Sequence, residues 1–298
     1  MPAEPAFERV ALVVHPSRPV ANAVGTLTGW TQERGLDLVQ LAAGTHADQR
    51  FAAPGDVGAG DLVVAVGGDG TVLRALHAAR PVDAPVLGVA CGSLGALSAI
   101  PAEQIVHALE RVMAGDWTPR SLPVLAIAGA EAAAYWAVND FVVVRRGAGQ
   151  LVAAVSVDDD PYVRLAGDGV IVATALGSSA YSMAAGGPLL ASATPAFVCT
   201  PLAMHGGSAP PLVVPAEATL TVDVQPGYGG FEVEIDGRRS TPAADRFRIT
   251  LNPDGPTLVT FGAAGRGLAG LRRRGLIADS PRVLARDDRA ATVSRGPV

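Results

Sequence analysis

The chain has 298 residues, 49% hydrophobic and only 17% charged, which is enough to bury a substantial core and too apolar for a disordered chain. A formal net charge of −5 gives no electrostatic footprint for nucleic acid or an anionic membrane, and no apolar run reaches the roughly 20 residues needed to span a bilayer. All 23 basic residues are arginine, so a P-loop lysine, a protein-kinase strand lysine and a Schiff-base lysine are excluded.

The opening "MPAEPAFERV" lacks a basic region leading into an apolar one and does not read as a signal peptide. Cys91 and Cys199 stand far apart in apolar surroundings, the pattern of reduced thiols, and the expected location is cytoplasmic. "VALVVHP" from Val10 to Pro16 predicts a short buried strand ended by proline, Ala21 to Arg34 a helix, and "GLDLVQL" a second strand. "DLVVAV", a helix over Thr71 to Ala79, "APVLGVA" and a helix over Ala102 to Ala114 continue the alternation. Strands alternating with helices predict an α/β layer with a largely parallel sheet, and ligands bind at the carboxyl ends of such strands.

Beyond Trp117-Thr118-Pro119 the segments become short and β-rich, among them "AAYWAVNDFVVVRR", "YVRLAGDGVIVATA", "TLTVDVQPG", "RFRITLNPD" and "TLVTFG". "FEVEIDG" alternates, with Phe231, Val233 and Ile235 on one face and Glu232, Glu234 and Asp236 on the other, as in a half-buried strand. Three regions are expected: an α/β domain over 1–119, a mostly β, sandwich-like domain over 120–262, and a C-terminal arm or helix over 263–298 returning to the α/β domain with a flexible tail.

Two segments carry chemistry. Gly67-Gly68-Asp69-Gly70-Thr71 ends a buried strand. Glycines there let backbone amides approach an anion, and the following helix points its positive end at the same place. Asp69 could bind Mg²⁺ or take a proton from a hydroxyl. The plain alternative is a strand-to-helix turn in which Asp is a local acceptor. The second segment, Leu165 to Leu190, places Gly177, Ser178, Ser179, Tyr181, Ser182, Gly186 and Gly187 within eleven positions. Such density suits close approach to a polar ligand, or simply a tight connection.

Three other patterns lead nowhere. "GRGLAG" from Gly265 has the dinucleotide-binding spacing but no βαβ unit with an acid following it. "GGSAP" around Ser208 fails the nucleophile-elbow pattern at Pro210. The five histidines, His15, His46, His77, His107 and His205, form no metal-ligand cluster and read as structural; His205 is set apart because it precedes the "GGSAPP" turn.

The glycine turn alone resembles both NAD kinases and the diacylglycerol and sphingosine lipid kinases. "DGVIVATALGSSAYSMAAGGPLL" separates them, since it is similar to the NAD kinase signature D-G-[LV]-I-[VA]-[SA]-T-P-T-G-S-T-A-Y-S…A-G-G-P. "AVNDFVVVRR" resembles that family's Asn-Glu strand with Asp140 in place of Glu, "GVACGSLGAL" its G-V-N-x-G-x-L-G-F-L loop, and "TPLAMHGGSAPPLVVP" its T-P-[IL]…H-S-L-S-x-R-P-[IL]-V-[LV]-P segment. "EIDGRR" resembles its Asp-Gly-Gln turn; the motifs keep the family's order over roughly residues 8 to 270.

The resemblance implies an NAD kinase-like two-domain fold and transfer of the γ-phosphoryl of ATP to the 2′-hydroxyl of the adenosine ribose of NAD, giving NADP. Asp69 would be the catalytic base, and Gly67, Gly68, Gly70 and Thr71 would hold the donor phosphates together with Mg²⁺ or another divalent ion. Asn139, Asp140, Asp168, Thr174, Ser178, Ser179, Ala180 and Tyr181 would form the acceptor site, in a homodimer or homotetramer whose neighbouring subunits complete it. Small nucleotides are the expected partners, with no nucleic acid and no membrane.

Departures from the pattern cluster on the acceptor side. Ala90 stands where the family has Asn, Ala96 where it has Phe, Ala175 and Leu176 where it has Pro and Thr, and Pro210 where it has Arg. They leave a second reading open, a different nucleoside or nucleotide as acceptor, and behind it a non-catalytic nucleotide-binding paralogue or a lipid kinase.

Overall fold

The computed structural model describes residues 7–42, 49–129, 134–242, 244–262 and 268–286. The first half alternates as expected: β1 (Arg9–Val14), α1 (Ala21–Glu33), β2 (Asp37–Gln40), β3 (Ala53–Pro54), β4 (Leu62–Gly67), α2 (Asp69–Ala79), β5 (Val86–Ala90), β6 (Ile100–Pro101), α3 (Ile105–Met113) and β7 (Thr118–Ser121). β3, β2, β1, β4 and β5 lie side by side and parallel, with β6 beside β5. Every residue of β4 is buried, which is why it reads as an unbroken apolar run rather than an alternating one. On one face of the sheet Val10, Leu12, Val64 and Leu87 pack with Leu27 of α1 and Leu109 of α3. On the other, Ala11, Val13, Val63 and Ala65 pack with Val72 and Leu76 of α2, and that cluster continues into Leu122, Val124 and Val138. α2 therefore lies between the sheet and the second domain.

The second domain holds β8 (Val124–Gly129), β9 (Ala134–Ala137), β10 (Asp140–Arg145), β11 (Leu151–Val157), β12 (Asp160–Gly167), β13 (Gly169–Thr174) and the single turn α4 (Tyr181–Ala184). It continues through β14 (Ala196–Leu202), β15 (Leu212–Pro215), β16 (Leu220–Gln225), β17 (Phe231–Ile235), β18 (Arg238–Ser240) and β19 (Arg246–Asn252). Two six-stranded antiparallel sheets form, β15-β14-β13-β10-β17-β18 and β12-β11-β16-β19-β8-β9. Phe141, Val172 and Phe197 of the first meet Val155, Val222 and Phe247 of the second in one core, so the expected sandwich is present.

Two corrections bear on the site. β20 (Thr257–Thr260), expected in the second domain, pairs with β5 and β7 in the first sheet, so the chain returns to the α/β layer before residue 262. Two segments that read as single strands each switch sheets midway: β9 and β10 part at Val138-Asn139, and β12 and β13 at Asp168. α5 (Leu268–Arg273) begins the C-terminal arm, and the tail from 287 onward lies outside the described residues, as do His46 and the first three residues of "GRGLAG". Among the described residues no helix is long and apolar enough to cross a membrane.

Candidate functional site

The three loops at the carboxyl ends of β1, β4 and β5 meet at Gly67–Thr71. Gly67 is needed for packing, because a Cβ there would lie 2.3 Å from Thr71 Oγ1 and 3.1 Å from His15 Cβ. Thr71 turns inward: it is 5% exposed and its amide donates to Gly68 O at 2.9 Å. Gly68, Asp69 and Gly70 remain at the surface of the turn, and no side chain caps the helix start. The Asp69 carboxylate accepts from Ala96 N at 2.9 Å and Leu97 N at 3.0 Å. Gly95 lets that loop come so close, since a Cβ on it would sit 2.0 Å from Asp69 Oδ1.

Arg18 is a residue that motif reading missed. His15 Nδ1 accepts from the amides of Ser17 and Arg18, and Gln49 Nε2 donates to the carbonyls of His15 and Arg18. Burial, reinforced by Arg18 and Arg74, holds the His15 imidazole below its ordinary pKa, which keeps it a neutral acceptor. The loop so fixed carries Arg18 over the turn. Arg18 Nη1 donates to Cys91 O at 3.4 Å and stands 3.5 Å from where a Cβ on Gly68 would be.

The predicted acceptor residues come together around 174–181, in two groups. Thr174 and Ser178 are framework, together with Gly177 between them. Thr174 Oγ1 donates to Val138 O at 2.6 Å and accepts from Gly177 N at 3.0 Å. Gly177 lies so close to Asn139 that a Cβ would be 1.9 Å from its carbonyl oxygen. Ser178, expected to line the pocket, is fully buried, donating to Ala175 O and accepting from Leu190 N. The other group faces open space. Ser179 lines a cavity of ≈ 270 Å³ between the domains, with Gly95, Ala96 and Leu176 on its walls and Leu271 of α5 beside them. A second cavity of ≈ 230 Å³ shares Ala175 and Leu176. Tyr181 and Asp168 line a separate cleft of ≈ 240 Å³ with Arg145, which forms an ion pair with Asp168. Ala180 lies between the two sides, and Tyr181 is 39% exposed.

Asn139 and Asp140 sit beneath that turn. Burial pushes the Asp140 carboxyl up to about 7, with the charges of Asp236 and Glu234 adding to it and the Tyr181 amide opposing. Asp236 is a further residue the sequence misplaced. The alternation puts it with Glu232 and Glu234 on a polar face, yet its side chain has 0% exposure. Its Oδ1 accepts from Asn139 N at 2.7 Å and Asp140 N at 3.2 Å, and its Oδ2 from Val138 N at 3.0 Å. Glu232 and Glu234 are themselves paired with Arg239. His205, by contrast, pairs through its ring with the exposed Gln150.

Residues 47–117 match the family model described as the ATP-NAD kinase N-terminal domain, and residues 138–254 that of the ATP-NAD kinase C-terminal domain. The NAD kinase of Chloroflexus aurantiacus is 34% identical over 261 residues, covering 86% of this chain and 92% of its own. That of Koribacter versatilis is 35% identical over 250 residues, covering 79% and 86%. Yeast NADH kinase complexed with NADH matches with a TM-score of 0.74 at 19% identity, over 88% of this chain and 85% of its own. An NAD kinase from Archaeoglobus fulgidus in complex with ATP matches at 0.69 and 22% identity, over 91% and 100%. At those identities the two structures establish the fold, while the sequence relatives establish descent. The chain belongs to the NAD kinase family.

Proposed function

We propose that this chain transfers the γ-phosphoryl of ATP to the 2′-hydroxyl of the adenosine ribose of NAD, giving NADP, with Asp69 as the base. The observation that carries the assignment of Asp69 is its place. It opens α2 and is held by the amides of Ala96 and Leu97, and Ala96 also lines the cavity between the two domains. Each carboxylate oxygen already accepts one amide and keeps a further lone pair for a substrate hydroxyl. Two backbone donors also fix its orientation, so little is lost in ordering it at the moment of transfer.

The donor phosphates fit the surface of the turn. Uncapped amides at the start of an eleven-residue helix favour an anion, and Arg18 supplies the positive charge that lysine would supply elsewhere. Among the described residues no three His, Cys, Asp or Glu side chains gather into a metal cage. A Mg²⁺ brought in on the triphosphate would need only one or two protein carboxylates, and Asp69 is the one the turn presents. Bound there, a divalent ion would supply charge neutralisation for the donor phosphates. Opposite, Ser179 and the apolar walls of the inter-domain cavity receive the acceptor, and the cleft beside Tyr181 and Asp168 lies open to a neighbouring copy in a homodimer or homotetramer.

Ala96 and Leu176 support a second reading, an acceptor other than NAD, because both put apolar surface on the cavity where the family has an aromatic ring and a hydroxyl. Incubation of the purified chain with ATP, Mg²⁺ and a panel of NAD, NADH, adenosine and AMP, with products identified by mass, tests both. NADP as the principal product is expected; a phosphorylated nucleoside with no NADP would transfer the assignment to the second reading.

A further inference from the structure

α2 makes a polar contact with the other domain at its far end, and the proposed reaction makes no use of it. His77, eight residues after Asp69 on the same helix, places Nε2 2.7 Å from Asp236 Oδ2. Opposite a carboxylate that already accepts three backbone amides, the ring nitrogen is the donor. The ring stacks on Trp136 with centroids 4.0 Å apart, and Arg80 covers a Trp136 ring at 4.4 Å. Asp236 itself has φ +50°, at the turn between β17 and β18, and its amide donates to Asp140 O at 3.0 Å. One buried carboxylate thus gathers the amides of Val138, Asn139 and Asp140, where the chain leaves one sheet for the other, and ties them to the helix that begins at Asp69.

We infer that His77 is a positioning residue: through Asp236 it fixes the acceptor-side segment Val138–Asp140 relative to Asp69. The inference rests on the assignment of Asp69 as base. A bridge of this kind matters to the reaction because the base and the hydroxyl are carried by different domains. A small misplacement between reacting groups costs far more in rate than in binding. The backbone amides on Asp236 come from the strand junction itself, so no side chain intervenes between the bridge and the segment it holds.

Two variants separate the bond from the stack. His77→Gln keeps an Nε2 donor for Asp236 and gives up the ring, whereas His77→Phe keeps a ring on Trp136 and gives up the donor. His77→Phe is expected to lower kcat about tenfold or more, with the KM for ATP within about twofold, while His77→Gln stays within about threefold of wild-type kcat. Amide hydrogen exchange over 137–141 should quicken in the Phe variant and stay near wild type in the Gln variant. If both variants keep wild-type kcat below their melting temperatures, or if Gln loses as much rate as Phe, the inference is overturned. Unchanged exchange at 138–140 in His77→Phe overturns it also, and does so even should the wild-type protein make no NADP, an outcome that would count against the proposed reaction instead.

Discussion

A carboxyl with 5% exposure and an ionisation near pH 7 gives the site its clearest stability signature. Unfolded, Asp140 loses its proton near 3.8; folded, near 7. Between those values the folded chain holds the extra proton, so this residue's contribution falls as pH rises through the window and levels off above it. Asp140→Asn removes that penalty. Its unfolding free energy relative to wild type should climb from about pH 4 to about pH 7, towards about 4 kcal/mol. Urea titrations across that range check it, and an equal difference at both ends would show an ordinary carboxylate. Arg18 makes a separate prediction. Arg18→Ala should raise the KM for ATP about 10- to 100-fold, as loss of a charge-assisted contact does, and leave the KM for NAD nearly unchanged. Equal effects on both substrates would remove Arg18 from the donor phosphates.

At the scale of elements, two glycines of one turn should behave oppositely. Gly67→Ala forces a methyl against Thr71 and is expected to cost about 1–3 kcal/mol by overpacking. Gly70 has no atom within 4 Å of its absent Cβ and lies in the first turn of α2. Gly70→Ala should therefore stabilise the fold by about 0.5–1 kcal/mol while raising the KM for ATP, because a methyl would then stand where the proposed function brings the phosphate. Thermal melts with donor titrations check the pair; a Gly70→Ala enzyme with unchanged ATP affinity would place the phosphates elsewhere.

Both strand and turn were legible here, because an apolar run meeting glycine and an acid has few other solutions. The sheet switches were not. "AAYWAVNDFVVVRR" is equally β-forming on both sides of Asn139, and nothing local records that Ala137 and Asp140 belong to different sheets. Asp236 was misread for a related reason, since alternation gives the face of a strand but not whether a second domain covers it. Ser178 looked like a ligand residue because its hydroxyl is small and polar; its partners, Ala175 O and Leu190 N, lie on the backbone and leave no trace in composition.

At the scale of the whole molecule, the order of two domains was readable from the change in texture near Trp117, but the return of β20 to the first sheet was not. A four-residue strand carries no mark of the sheet it joins. The return matters, because it delivers α5 to the inter-domain cavity, where Leu271 forms part of the wall. The family's Asn and Phe positions also differ in how they can be tested. Ala90 is 2% exposed at the end of β5, so an Asn there would bury an amide, whereas Ala96 faces the cavity. Ala96→Phe alone should therefore raise the kcat/KM ratio of NAD over AMP, by an amount on the order of tenfold for one added apolar contact. An unchanged ratio would mean that the acceptor ring lies outside this cavity.

In the proposed reaction one carboxylate, placed by a glycine turn and held by two loop amides, takes the proton of the ribose hydroxyl. Single-turnover formation of NADP by wild type and Asp69→Asn, at saturating ATP, Mg²⁺ and NAD, isolates that proton transfer from binding and product release. Asn retains the shape but has one acceptor oxygen for the amides of Ala96 and Leu97, so the melting temperature and NAD binding are measured alongside. A rate lower by about 10²–10⁴ in a folded, NAD-binding variant is the expected result, and a rate within a few-fold of wild type would show that Asp69 is not the base.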